Sequence, residues 1–186
     1  MARTSDARGK ALATAETLFR RQGFAATGLA QIIAESSAPK GSFYFHFPGG
    51  KDQLAAEIIA SFSARGLAGI AAAARATPGD AAGFIELLCA GIAAEMRRSD
   101  YTLGCALQNI AGERAPDDPH LTPLLQDGFE TWVSAVTNHL SACGIAQPQT
   151  LAQALIAALE GARSLARTSR SDAVFAAVAA SFTAML

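Results

Sequence analysis

TGLAQIIAESSAPKGSFYFHFPGGK, residues Thr27 to Lys51, is the stretch on which the fold of this chain turns. It reads as two short helices joined by a tight turn, then a proline stop and the start of a third helix. Thr27 has the chemistry of an N-cap, since its hydroxyl can accept from an otherwise unpaired amide. Leu29, Ile32 and Ile33 follow at the spacing of one apolar stripe. Glu35-Ser36-Ser37-Ala38-Pro39 interrupts the stripe, and Pro39 suits the first position of a new helix. In that second helix Phe43 and Phe47 stand four residues apart and point inward together. Lys40, Gly41, Ser42, Tyr44 and Phe45 are left facing outward. A lysine, two small residues and two aromatics make poor core but a workable face for a DNA major groove. The stretch is therefore expected to be a helix-turn-helix.

These residues also carry a family resemblance. Thr27, Ile32, Lys40-Gly41-Ser42-Phe43-Tyr44 and His46-Phe47, closed by Lys51 at the start of a long helix, resemble the DNA-binding end of the TetR/AcrR family of bacterial transcriptional regulators. The likeness is detailed from Arg8 to about Leu54 and beyond that is only a matching layout of helices. The inserted form Phe47-Pro48-Gly49-Gly50-Lys51, and Gly104-Cys105 later on, resemble the LmrA/YxaF-like subgroup. Two positions depart from the pattern. Ser37 stands where the family usually has glycine, which asks a serine to adopt a left-handed backbone at a strain of roughly 1 kcal/mol. Ile33 replaces a small alanine and needs compensating space.

The resemblance implies an all-α fold of about nine helices: a three-helix helix-turn-helix domain over residues 1–50, then a helical ligand-binding and dimerisation domain over 51–186. It implies operator contact through Thr27, Lys40, Gly41, Ser42, Tyr44, Phe45, His46 and Lys51. Thr27, Tyr44, His46 and Lys51 would mainly hold phosphates, while Lys40, Gly41, Ser42 and Phe45 approach base edges. A capping or core-edge histidine and an aromatic at the edge of the core are the plainer readings of His46 and Phe45.

Composition agrees. At 186 residues the chain fits one domain, or a small module joined to a larger one. Half of it is apolar and alanine is very frequent, favouring packed helices over sheet. The net charge of -1 is unevenly spread: residues 1–52 carry seven Lys/Arg against four Asp/Glu, and the rest carry eight against twelve. A basic head on an acidic body suits phosphate contact at one end. Cys89, Cys105 and Cys143 lack C-x-x-C spacing, which argues against zinc or a disulfide framework and fits a reducing cytoplasm. No metal or cofactor is expected. The N-terminal residues are short, polar and basic, so no signal peptide is expected. Thr131 to Leu159 holds no charged residue, but Asn138, His139, Gly144, Pro148 and three glutamines disqualify it as a membrane span.

Taken in order, a first helix runs from Thr4 to Gln22, ended by Gly23 with Phe24 folded back on Phe19. The arm Ala2-Arg3-Thr4 either follows the phosphate backbone or is a solvated tail. A long helix starts at Lys51, with Gln53 reaching back toward the cap. Leu54, Ile58, Phe62, Leu67 and Ile70 are its inward face and Thr77-Pro78-Gly79 its stop. Asp80 caps the next helix, with Phe84, Leu87, Leu88, Gly91 and Ile92 inside. Gly104 to Arg114 is a short helix. Asp118-Pro119 opens one that stops at Gly144, Pro148 opens one to about Arg167, and Ser171 a last one.

The final two helices are apolar on several sides, through Leu155, Ala158, Leu159, Ala162 and Leu165, then Val174, Phe175, Val178 and Phe182. Such helices are buried nearly all round. They either complete the monomer's core or form a four-helix homodimer seam, and the resemblance favours the seam. It also implies a small-molecule effector cavity over residues 54–170. Phe62, Phe84, Leu88, Cys89, Cys105, Asn109, Phe129, Trp132 and Val136 are its expected lining, though each also suits ordinary core. With no cluster of charges there, an apolar or aromatic effector is expected. A thiol-based redox sensor on the same scaffold, switching through Cys89 or Cys105, is the alternative. An enzyme is not expected: His46, His120 and His139 suggest no catalytic set, and no glycine-rich phosphate loop follows a strand.

Overall fold

The computed structural model describes residues 2–186, with side chains from Ala7 onward, so any side-chain role for the Ala2-Arg3-Thr4 arm lies outside the described residues. Among these residues there are nine helices and no strand: α1 (Ala2–Gln22), α2 (Leu29–Ser36), α3 (Lys40–His46), α4 (Gly50–Ala76), α5 (Ala81–Arg98), α6 (Ala106–Arg114), α7 (Leu121–Ala142), α8 (Pro148–Ser169) and α9 (Ala173–Thr183). Packing separates two compact units, one of residues 1–62 with 105–126 and one of 63–104 with 127–186. Each compact unit joins two segments of the chain, α6 and the start of α7 lying with α1 to α3 and the first part of α4.

In the first unit α1 packs on α2, α3 and α6. Leu18, Phe19, Phe24, Ile32, Phe43, Phe47, Leu54 and Ile58 fill its core. Gly23 takes a left-handed φ of 91° and lets Phe24 turn back onto Phe19, ring centroids 5.2 Å apart. Ser37 does adopt the left-handed backbone, at φ 55° and ψ 20°. Gln53 reaches back as read from the sequence: its Oε1 accepts from the Gly49 amide at 3.0 Å and its Nε2 donates to the His46 carbonyl at 3.2 Å.

Thr27 is not the N-cap of α2. Gly28 occupies that position, and the Thr27 hydroxyl instead donates to the Gly23 carbonyl at 2.7 Å. The hydroxyl closes the preceding turn because a buried carbonyl there offers it a partner within reach.

The second unit packs α9 on α5 and α8, and α5 on α8. Asp80 caps α5 by accepting from the Gly83 amide at 2.9 Å. Three inward assignments fail. Leu67 and Leu87 are 37% and 45% exposed and Gly91 is exposed, while Ile85, Cys89, Ala93 and Met96 are buried on α5. With two helices to cover, α5 buries a stripe centred further round its circumference than the large side chains alone suggested. Leu165 is likewise 59% exposed, whereas Leu155, Leu159 and Ala162 on α8 are buried.

Helix α4, not the uncharged run in α7 and α8, is long and apolar enough to cross a membrane by length and composition, with mean hydropathy 1.4 over its most apolar window. Leu54, Ala55, Ile58, Ile59, Phe62 and Ile70 on it are buried in the protein, and 33% of that most apolar window is buried.

Candidate nucleic-acid interface and effector region

Helix α3 is short, and two phenylalanines anchor it. Phe43 and Phe47 are buried with centroids 5.3 Å apart, so the opposite side of the helix must face outward. Pro39 is its N-cap rather than its first residue, and the Phe43 amide donates to the Pro39 carbonyl at 3.0 Å. Lys40 and Gly41 are exposed, Ser42 is half-buried, and Tyr44 and Phe45 are 47% and 80% exposed. An aromatic that open to water leaves an apolar surface uncovered beside a lysine and a Cβ-free backbone. An added Cβ at Gly41 meets nothing within 4 Å, so the approach to the backbone is clear.

Three of the expected phosphate-holding residues are placed differently. Thr27 is fully buried, its hydroxyl committed to Gly23, so its side chain presents nothing to a phosphate. Lys51 turns inward: its Nζ donates to the carbonyls of Phe24 at 2.9 Å and Thr27 at 3.0 Å, and stands 4.1 Å from the Phe24 ring centroid. Burial pushes the Lys51 pKa down, with the Asp52 and Glu113 carboxylates drawing it back up. His46 sits at the core edge, its ring edge-on to Phe45 at 5.2 Å, and among the described residues its buried Nε2 has no hydrogen-bond partner. In each case local burial, invisible in a motif, decides which way the polar atom points.

The expected effector lining is divided between the units. Phe62, Cys105 and Asn109 belong to the first; Phe84, Leu88, Cys89, Phe129, Trp132 and Val136 to the second. Asn109 is engaged with backbone, its Nδ2 donating to the carbonyls of Phe19 and Arg20. Phe62 lies 5.0 Å under the Arg20 guanidinium. In the second unit the Trp132 Nε1 donates to the Ser63 carbonyl at 2.9 Å, Phe129 meets Trp132 edge-on at 5.7 Å, and Phe84 lies 4.2 Å from His139.

A groove of about 290 Å³ between α5 and α9 includes Glu86, Cys89, Ala93, Arg97 and Asp172 in its lining, and a wider depression of about 600 Å³ on α4 and α7 includes Leu67, Asp127, Glu130 and Asn138. Of the nine lining candidates only Cys89 borders the first of these, and none the second.

Outside both of these linings, the second unit holds a buried charge that was not expected from the sequence: Arg163 on α8 pairs with Glu95 at 3.0 Å and Glu160 at 3.6 Å. The spacing of Glu160 and Arg163 was the one local signal; Glu95 is brought in by packing. Cys89 is buried, which pushes its thiol up to about 11, opposite to what a sensing thiol needs, and Cys105 is fully buried.

Two stretches of the chain match known families. Residues 11–58 match the tetR family of bacterial regulatory proteins, and residues 81–181 match the C-terminal domain of LmrA/YxaF-like transcriptional regulators. The chain is 31% identical over 169 residues to the HTH-type transcriptional regulator LmrA of Bacillus subtilis, covering 90% of this chain and 89% of that relative. It is 31% identical to the uncharacterized HTH-type regulator YxaF of the same organism, covering 80% and 78%. Among solved structures, a TetR transcriptional regulator from Legionella pneumophila superposes with a TM-score of 0.84 at 20% identity, covering 95% of each chain. The regulatory protein TetR from Rhodobacter sphaeroides gives 0.83 at 21% identity, covering 95% and 96%. At those identities the structures speak for the fold.

Proposed function

Since the chain belongs to the TetR family of transcriptional regulators, which are not enzymes, and carries an LmrA/YxaF-like C-terminal domain, we propose that it is a cytoplasmic repressor that binds a palindromic operator as a homodimer and lets go when a small apolar or aromatic effector binds. The observation that carries this reading is the bare outer face of α3, with Phe45 80% exposed beside Tyr44, Lys40 and Gly41 while Phe43 and Phe47 hold the helix from behind. Lys40 donates to guanine O6 and N7, Gly41 lets the backbone come near, Phe45 packs on a thymine methyl, and Tyr44 and Ser42 reach phosphate or base edges. His46 borders this face. Thr27 and Lys51 serve it by shaping the turn behind it.

Two such helices related by a two-fold axis would enter successive major grooves about 34–36 Å or slightly more apart. The proposed seam is α8 with α9, supported by an exposed small and apolar stripe on α8 that includes Ala154, Ala157, Gly161 and Leu165. The proposed 1–50 and 51–186 division of roles follows: reading head, then effector binding and dimerisation. A coupling of about 1–3 kcal/mol between effector and operator is enough to change occupancy strongly.

The test is a gel-shift with Lys40→Ala/Tyr44→Ala on a palindrome upstream of the protein's own gene. Binding by the parent chain and its loss in the double variant is the expected result; unchanged affinity would sink the assignment. Trp132 fluorescence across a library of hydrophobic compounds reports the effector.

A further inference from the structure

The turn between α1 and α2 is held only in part by its own groups, which include the Thr27 hydroxyl on the Gly23 carbonyl and Gln22 Nε2 on the Ala26 carbonyl. Gly23 to Gly28 contains one backbone hydrogen bond of its own, from the Thr27 amide to the Phe24 carbonyl, while the Gly23 amide returns to Phe19. The amides of Phe24 and Ala25 find their acceptor about ninety residues away along the chain. Glu113 Oε1 accepts from Phe24 at 3.1 Å and Glu113 Oε2 accepts from Ala25. One carboxylate bridging two successive amides is a charge-assisted, directional contact. Four residues earlier on the same face of α6, Asn109 Nδ2 donates to the last-turn carbonyls of α1, Phe19 at 2.9 Å and Arg20 at 3.0 Å. Gly23 is shaped around this arrangement: besides its positive φ, an added Cβ would lie 2.2 Å from Glu113 Oε1. Helix α4 completes the grip through Lys51, and Arg114 stands 5.0 Å from the Phe24 ring centroid while pairing with Asp52 on α4 at 3.7 Å.

We infer that Asn109 and Glu113 are positioning residues for DNA binding: α6 clamps the α1–α2 turn and thereby fixes the angle at which α2 and α3 are presented to the duplex. Neither residue touches DNA. Both act through backbone groups that would otherwise go to water, leaving the turn free to sample other geometries. The inference rests on the DNA-binding reading above, and it moves Asn109 from effector lining to turn clamp.

The test uses the full chain and the duplex that the parent protein enriches from a random pool. Amide exchange at Phe24 and Ala25 is followed by NMR, and dissociation from that duplex is measured on the DNA-competent fraction. Glu113→Ala is expected to speed exchange at those two amides, and dissociation, about tenfold each, the scale of one lost charged hydrogen bond. The dependence of binding on salt should be unchanged, because no phosphate contact is removed. Glu113→Gln, keeping one acceptor oxygen, should fall between, and Asn109→Ala should speed dissociation while melting cooperatively. Faster exchange with unaltered dissociation would make the clamp merely structural, and unaltered exchange would overturn it outright. A parent chain that enriches no duplex overturns the DNA-binding reading and with it the positioning role, while the exchange data alone still decide whether the clamp exists.

Discussion

Ser37 and Asp118 show how much one residue can carry. Ser37 holds φ 55° where glycine would sit without strain. Its replacement by glycine relieves that strain but frees the unfolded chain, so Ser37→Gly should gain up to about 1 kcal/mol in a denaturant titration. Ser37→Val should lose stability in the same assay. Asp118 accepts from the amides of Leu121 at 2.8 Å and His120 at 2.9 Å and from the Arg114 guanidinium. The Leu121 amide first, and then Arg114, hold its carboxyl at about 2, below the ordinary carboxylate value. A depressed pKa means the ionised form stabilises the fold. That contribution is complete above about pH 4 and disappears as pH falls through about 2. Melting curves of the parent and Asp118→Asn should therefore differ at neutral pH and converge in acid.

At the scale of elements, α3 separates stability from the recognition proposed for it. Phe43 is buried and Phe45 is open, two residues along one seven-residue helix. Phe43→Ala should cost roughly 3–5 kcal/mol of folding free energy. Phe45→Ala should stay within about 0.5 kcal/mol of the parent while weakening operator binding, as read by paired melts and gel-shifts. A second contact between elements is tight enough to test. A Cβ at Gly66 on α4 would lie 2.6 Å from three atoms of the Trp132 indole on α7. Gly66→Ala should cost about 1–3 kcal/mol through overpacking and change the Trp132 emission, since its Nε1 bond to the Ser63 carbonyl must shift.

For the whole molecule, the proposed seam makes a claim about assembly. Leu165 lies on a helix whose other leucines include the buried Leu155 and Leu159, yet it is 59% exposed in a single chain. Leu165→Glu should leave the helical content unchanged and shift the protein from dimer to monomer in multi-angle light scattering. Operator binding should then weaken steeply with dilution, because two linked heads gain avidity that one head lacks. A chain that remains a monomer, with or without the substitution, removes the seam.

Much of this was legible along the chain. The helices, their proline, glycine and aspartate punctuation, the inward pair Phe43 and Phe47, and the strained Ser37 all follow from periodicity and local backbone chemistry, which depend on neighbours a few residues apart. The family follows from the same local pattern. The tertiary structure alone decided which face of α5 is buried, that Thr27 and Lys51 turn inward, that Glu95 meets Arg163, and that Asn109 and Glu113 belong to a turn some ninety residues earlier. Those outcomes depend on which backbone groups and apolar faces packing brings within a few ångströms, and spacing along the sequence holds no record of that.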